Sequence, residues 1–284
     1  MGKLKTYAQW RLEENLIEYN FYYKKFKKLL MIMFKWENLP DGISSRYLEE
    51  TLFHDGIVIF FKSKMGFYVV CKATQIGLNN YNEPTGFHAV SDDGTINEYV
   101  KMKDCVVIYN DITRCGSVSD VNYFAKKISN VVKTIDINLE NMKNPYIVET
   151  SEGQKESVKQ VFRKKTNGEP YILVNEEYMK NVRASIFNLD IKDYTQSLTI
   201  LKNEIINEAL TYFGINNVHV QKKERLTSGE TDQNNEQILL SKNTYLECRQ
   251  NAVDSINKKF NLDIKLKIVD SETLKSAIGG LINE

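Results

Sequence analysis

The stretch Asp190–Asn243 opens DIKDYTQSLTILKNEIINEALTYFG (residues 190–214), and the reading of the whole chain turns on it. Tyr194, Leu198, Leu201, Ile205, Ala209 and Tyr212 recur at steps of three and four, which places them along one face of a helix. Ile200, Ile206, Leu210 and Phe213 widen that face enough to touch more than one neighbour. Gly214 supplies the left-handed residue that commonly ends a helix. At ~1.5 Å per residue, the predicted helix 190–213 is roughly 36 Å long. Gln221-Lys-Lys-Glu-Arg225 follows, then LTSGETDQNNEQ (226–237), whose single apolar residue predicts a polar loop through Glu236. A wide apolar helix leading into a basic cluster suits a subunit that packs beside copies of itself around something charged.

Working outward, a second helix of matching length precedes this one. Ser117-Val-Ser-Asp120 is a capping-box-like start, and Val121, Phe124, Ile128, Val131, Ile135, Leu139 and Met142 keep helical spacing to a stop before Pro145. The span is roughly 39 Å. Between the two helices lies a small insert, with a strand predicted at Tyr146–Val148, a helix near Gln154–Lys165 and a strand at Tyr171–Val174. Two matched helices with a small α/β module between them predict a hairpin-like stalk bearing a tip.

The N-terminal stretch Lys3–Trp36 reads as one basic amphipathic helix packing through Phe21, Phe26 and Leu30, closed by Pro40. Residues 41–116 change period. Ile57–Phe61 and Phe67–Cys71 form a hairpin signal, Asp93-Gly94 is a turn dipeptide between Phe87–Val90 and Thr95–Val100, and Val106–Tyr109 adds another strand. Past the polar loop, Thr244-x-x-Glu247 opens a predicted helix to about Phe260, and Leu262, Ile264, Leu266 and Ile268 alternate as a half-buried strand. A short helix is expected in the tail Ser271–Glu284.

Composition narrows the classes. With 284 residues and 42% hydrophobic content the chain can bury a substantial core. Lys+Arg number 38 against 37 Asp+Glu, so net charge alone does not point to nucleic acid. Cys71, Cys105, Cys115 and Cys248 show no paired spacing, the pattern of reduced thiols rather than a disulfide framework. The first residues lack the apolar core of a signal peptide and the longest apolar run, Leu29–Phe34, is too short to span a bilayer, so a soluble intracellular protein with no membrane partner is expected. No phosphate-binding glycine loop, nucleophile elbow or zinc-ligand spacing is present, and no enzyme, cofactor or metal is expected. His54 and His88 read as ordinary histidines of the sheet region. Glu230, Asp232 and Glu236 are the carboxylates a metal-dependent nucleic-acid enzyme would have to use, and a helical scaffold or adaptor is the other alternative.

Phe34-Lys-Trp-Glu-Asn-Leu-Pro40, Val106-Val-Ile-Tyr-Asn110, Phe213-Gly-Ile-Asn216, Lys222-Lys-Glu-Arg225 and Asn235-Glu-Gln237, in that order and spacing, resemble the upper collar family. Its members are the portals, or head–tail connectors, of small short-tailed phages with protein-primed linear genomes. The resemblance implies an α+β, mostly helical fold with long stem helices, an α/β wing and a small α/β clip. It implies a ring of twelve at one capsid vertex of the virion, assembled in the host cytoplasm, through which double-stranded DNA is packaged and ejected. The implied partners are the major capsid protein, the lower collar and tail proteins, and the packaging ATPase. Residues 1–116 and 244–284 correspond to the wing and wide end, 117–142 and 189–214 to the stem, 143–188 to the clip, and 215–243 to the channel-loop region. DNA-channel residues are then Lys222, Lys223, Arg225, Lys202 and Lys192; Leu198, Leu201, Ile205, Phe124 and Ile128 pack against neighbouring subunits. Arg163, Lys164 and Lys165 are candidates for docking the tail and motor, and Lys3 and Lys5 for touching nucleic acid. Ser197 departs from the pattern, standing where the family's last stem helix carries a channel lysine. The N-terminus is also less basic than the arm that meets a packaging RNA in the best-known member.

Overall fold

A computed structural model describes residues 7–142, 146–149, 156, 159, 183–186, 192–217 and 228–269. Its elements, in chain order, are α1 (Tyr7–Ile32), β1 (Phe34–Glu37), α2 (Ser45–Asp55), β2 (Ile57–Lys62), β3 (Tyr68–Leu78), β4 (Pro84–Val90), β5 (Asn97–Lys101) and β6 (Cys105–Tyr109). There follow α3 (Val118–Met142), β7 (Tyr146–Glu149), β8 (Arg183–Ile186), α4 (Thr195–Tyr212), α5 (Ser228–Phe260) and β9 (Lys265–Ile268). The class is α+β and mostly helical, as expected. The chain divides into two compact units, residues 1–132 with 200–284, and residues 133–199.

In the larger unit the sheet runs β5-β4-β3-β2-β6, antiparallel throughout. The apolar run of β2 is central, and its alternation feeds two cores. Val58 and Phe60 face a core shared with Leu48 and Leu52 of α2 and Ala252, Val253 and Ile256 of α5. Ile57, Ile59 and Phe61 face a second core with Cys71, Phe87, Val100 and Cys105. A third, helical core joins Phe26 and Leu29 of α1, Phe124 and Ile128 of α3, and Ile205, Ala209 and Phe213 at the end of α4. In the smaller unit β7 pairs with β8, Tyr146 opposite Ile186. The expected insert helix and the strand at Tyr171–Val174 lie outside the described residues, apart from Glu156 and Lys159, as does the expected tail helix.

Several expectations need correction. The N-terminal helix stops at Ile32; Phe34 and Trp36 point inward on alternate positions of β1, which pairs with β9 from the far end of the chain (Phe34 opposite Ile268). Phe26 and Leu30 are buried, but Phe21 is exposed beside Lys25, whose ammonium lies 5.0 Å from its ring centroid. Residues 45–55 form a helix. The Ser44 hydroxyl accepts from the Tyr47 N–H, and the Gly56 N–H donates to the Leu52 carbonyl at φ 75°. A Cβ on Gly56 would lie 2.4 Å from the Cys115 backbone, so glycine is required there twice over. The helix expected from Asp190 begins at Thr195, where the Asp193 carboxylate accepts the Thr195 N–H at 2.8 Å. The largest correction concerns the polar run: the predicted loop through Glu236 is helical from Ser228 onward, and α5 continues without a break through Thr244 to Phe260.

Candidate subunit interface and channel elements

The two helices at the centre of the sequence reading are each apolar along their length, yet their halves behave differently. From Val121 to Ile128, α3 buries Val121, Phe124, Ala125 and Ile128. Beyond Val132 no described side chain of α3 is buried, although Ile135, Ile137, Leu139 and Met142 continue the apolar series. α4 mirrors this: Ile205, Ile206, Ala209 and Leu210 are buried, whereas Tyr194, Ile200 and Leu201 are exposed and Leu198 is half-buried. Among the described residues, apolar side chains at helical spacing thus stay exposed or half-buried along the rest of both helices.

The ends of α4 are fixed locally. At its start the Asn138 carboxamide oxygen of α3 accepts from the Tyr194 N–H, and its amide nitrogen donates to the Lys192 carbonyl at 3.1 Å. At its finish Gly214, at φ 71°, donates to the Thr211 carbonyl, and Ile215 donates to the Leu210 carbonyl, which is a Schellman cap. Gly214 also lets α5 approach: a Cβ there would lie 2.5 Å from the Lys242 backbone nitrogen. Phe213 packs against Phe26 and Phe124, with ring centroids 5.7 and 5.6 Å away. The Asp120 carboxyl is pushed above its usual range by burial, partly offset by a hydrogen bond with Tyr212.

Past Gly214 the chain is pinned on both sides of residues 218–227. The Asn217 amide donates to the Asn207 carbonyl at 2.9 Å and to the Thr211 hydroxyl at 3.0 Å, while its oxygen accepts from the Asn234 amide at 3.0 Å. Asn217 is buried, so this satisfied network ties the chain just past α4 to the second turn of α5. A second buried network lies further along α5, at Arg249. Arg249 makes a bidentate pair with Glu49 of α2, at 3.0 and 2.8 Å, and donates to both the carbonyl and the side-chain oxygen of Asn110. Glu49 also accepts from the Trp36 indole at 2.7 Å.

These placements sort the residues singled out from sequence. Phe124, Ile128 and Ile205 do not present themselves to a neighbouring subunit, because their own chain covers them to within 4% of full burial. Leu201, 42% exposed, and Leu198 remain open to one. Lys192 is exposed and Lys202 half-buried. Lys222, Lys223, Arg225, Arg163, Lys164, Lys165, Lys3 and Lys5 lie outside the described residues. His54 sits 3.1 Å from the Lys27 ammonium, and His88 is 2.7 Å from the Asn97 side-chain oxygen. Among the described residues no three His, Cys, Asp or Glu side chains converge, and no helix is long and apolar enough to cross a membrane. Glu230 and Asp232 fall in α5 rather than on a loop. Asn217 and Arg249 escaped the sequence reading, since their partners stand up to 200 positions away.

Two apolar helices, each partly buried in the chain's own core and partly exposed, follow an α/β module in the sequence and flank a short strand pair. The chain belongs to the family described as Phage Connector (GP10), whose model matches residues 4–273. Over 128 residues it is 30% identical to the portal protein of Staphylococcus phage 44AHJD, a match covering 44% of this chain and 50% of that protein. The chain thus aligns with about half the length of that curated relative. Its fold is similar to that of a chain in the portal and tail of native bacteriophage P68, with a TM-score of 0.51 at 16% identity over 100% of this chain and 98% of that one.

Proposed function

We propose that the protein is a phage portal, or head–tail connector: twelve copies close a ring at one capsid vertex of the virion, and double-stranded DNA is packaged and later ejected through its channel. The observation that carries this reading is the open apolar half of α3 and α4 in a chain of the connector family. A closed ring repeats one contact at every interface, so modest apolar burial per copy sums to a stable assembly. In this reading 117–142 and 189–214 are the stem, 143–188 the clip, and 1–116 with 244–284 the wing and wide end. The channel-loop region is 215–243 in this reading, and its part from Ser228 onward is helical.

Lys222, Lys223 and Arg225 then become circles of charge around the hole, with Lys192 and Lys202 further along the stem. Each exposed contact with phosphate is weak, ~0.2–1 kcal/mol, so the set brushes the duplex without stalling it. The chain's near-neutral charge, 38 basic against 37 acidic residues, suits a conduit of that kind. Arg163, Lys164 and Lys165 on the clip are proposed to dock the lower collar and tail proteins and, during filling, the packaging ATPase. The wing meets the major capsid protein, and Lys3 and Lys5 touch nucleic acid at the wide end. Electron micrographs of the purified protein test the assembly: end-on views are expected to show a ring of twelve with a central hole, and a monomeric or dimeric particle at all concentrations refutes it.

A further inference from the structure

A cavity of about 580 Å³ opens between α1, β1 and α2. Its volume falls within the range of about 300–1,000 Å³ typical of built binding sites. The floor is apolar, formed by Met31, Ile32, Phe34, Trp36 and Val269, and the rim is cationic, formed by Lys24, Lys27, Lys28, Lys35 and Arg46. The one acid in the lining, Glu49, is spent on Arg249 and Trp36. Glu50, behind the rim, serves both Lys27 and Arg46, and Glu37 lies 3.5 Å from Lys35. Cations therefore outnumber acids around an apolar floor. A phosphate backbone would leave such a floor bare, whereas an acidic segment with aliphatic side chains would fill it.

The chain itself carries a segment of that chemistry. Ser228–Leu240, the first half of α5, contains Glu230, Asp232 and Glu236 and no cation. It ends in Leu239 and Leu240, which are 56% and 68% exposed, while Ile238 between it and the body is buried. Glu236 precedes Leu240 by one helical turn, so carboxylate and aliphatic anchor share a face. A ring requires two different, mutually complementary patches on every copy, because the contact is head-to-tail. We infer that in the assembled ring this groove receives Ser228–Leu240 of an adjacent copy, Leu239 and Leu240 on the apolar floor and Glu236 against the lysine rim. The inference rests on the ring proposed above and adds to the open stem halves a second interface, in which charge sets the register.

Crosslinking of the full-length chain tests it. In a Cys115→Ser, Cys248→Ser background, Met31→Cys and Leu240→Cys are combined and the protein is treated with a short bismaleimide. Denaturing gels are expected to show a ladder of linked subunits that neither single-cysteine variant gives. Rings in the micrographs with only a monomer band overturn the inference while leaving the ring intact; absence of rings from the unsubstituted protein overturns both. Should the cysteine variant itself fail to assemble, a charge swap decides. Lys28→Glu is expected to raise the concentration for half-assembly at low salt by about threefold or more, repeated contacts multiplying one weak pair. Adding Glu236→Lys is expected to restore it. No effect of Lys28→Glu, or no restoration, overturns the inference.

Discussion

Replacing Arg249 by Met tests how the two halves of the sequence are held together. Arg249 is 3% exposed and Glu49 4%, so their ion pair is formed away from water. The guanidinium uses its donors on the Glu49 carboxylate, the Asn110 carbonyl at 2.7 Å, the Asn110 side-chain oxygen and the Tyr245 carbonyl at 3.2 Å, and it lies 4.6 Å from the Phe34 ring centroid. It thereby ties α5 to β1, α2 and the end of β6. Met keeps much of the bulk but leaves Glu49 buried with the Trp36 indole as its remaining donor, a loss of about 3–5 kcal/mol for a broken buried pair. In a chain of this size that is roughly 6–20 °C in Tm. Glu49→Leu with Arg249→Met removes the orphaned charge, leaving the Trp36 N–H and the Asn110 carbonyl to find water at about 1–3 kcal/mol each. The double variant is therefore expected to be less destabilised than the sum of the two single variants by at least about 2 kcal/mol. Urea unfolding at one protein concentration, so that assembly does not confound the comparison, measures all four forms. A single-variant cost below about 1 kcal/mol, or strict additivity, would refute the argument.

Two further outcomes follow from burial alone. Leu201→Asp, at a 42% exposed position of α4, is expected to shift sedimentation from ring to small species while leaving the isolated chain folded; Ile205→Asp, one turn later and 3% exposed, is expected to unfold it. Ring-like sedimentation of Leu201→Asp would mean that no neighbour covers this face. Burial pushes the Cys71 and Cys105 thiols up to about 11 from an ordinary value of 9.0. The native state holds these protons while the unfolded chain releases them, so stability is present in full well below pH 9 and falls between pH 9 and 11, by roughly 2 kcal/mol per thiol, about half of it by pH 10. Urea titrations at pH 8 and 10 are expected to show this loss and a Cys71→Ala, Cys105→Ala variant to flatten it; an identical slope in that variant would contradict the burial of the thiols.

What could be read from sequence was what local signals encode. The apolar period of α3, the stop at Gly214, the hairpin at residues 57–71 and the Asp93-Gly94 turn depend on neighbours within a few positions, and the structure has them. In the sequence β1 reads as the end of α1, because Phe34 and Trp36 continue the apolar run Leu29–Phe34. Only pairing with β9 at the other end of the chain turns that run into a strand. α5 fails more instructively. Its first turns are polar and read as loop, yet they are held as helix by Asn234 on Asn217, by buried Ile238 and by the close approach of Lys242 to Gly214. The same limit governs the interface. Ile205 and Leu201 belong to one apolar stripe, and no periodicity distinguishes them; what distinguishes them is that Ile205 joins the helical core with α1 and α3 while Leu201 is left exposed outside it. If the proposed ring forms, such a helix carries two messages in one pattern. The boundary between them is set by where the chain's own core ends.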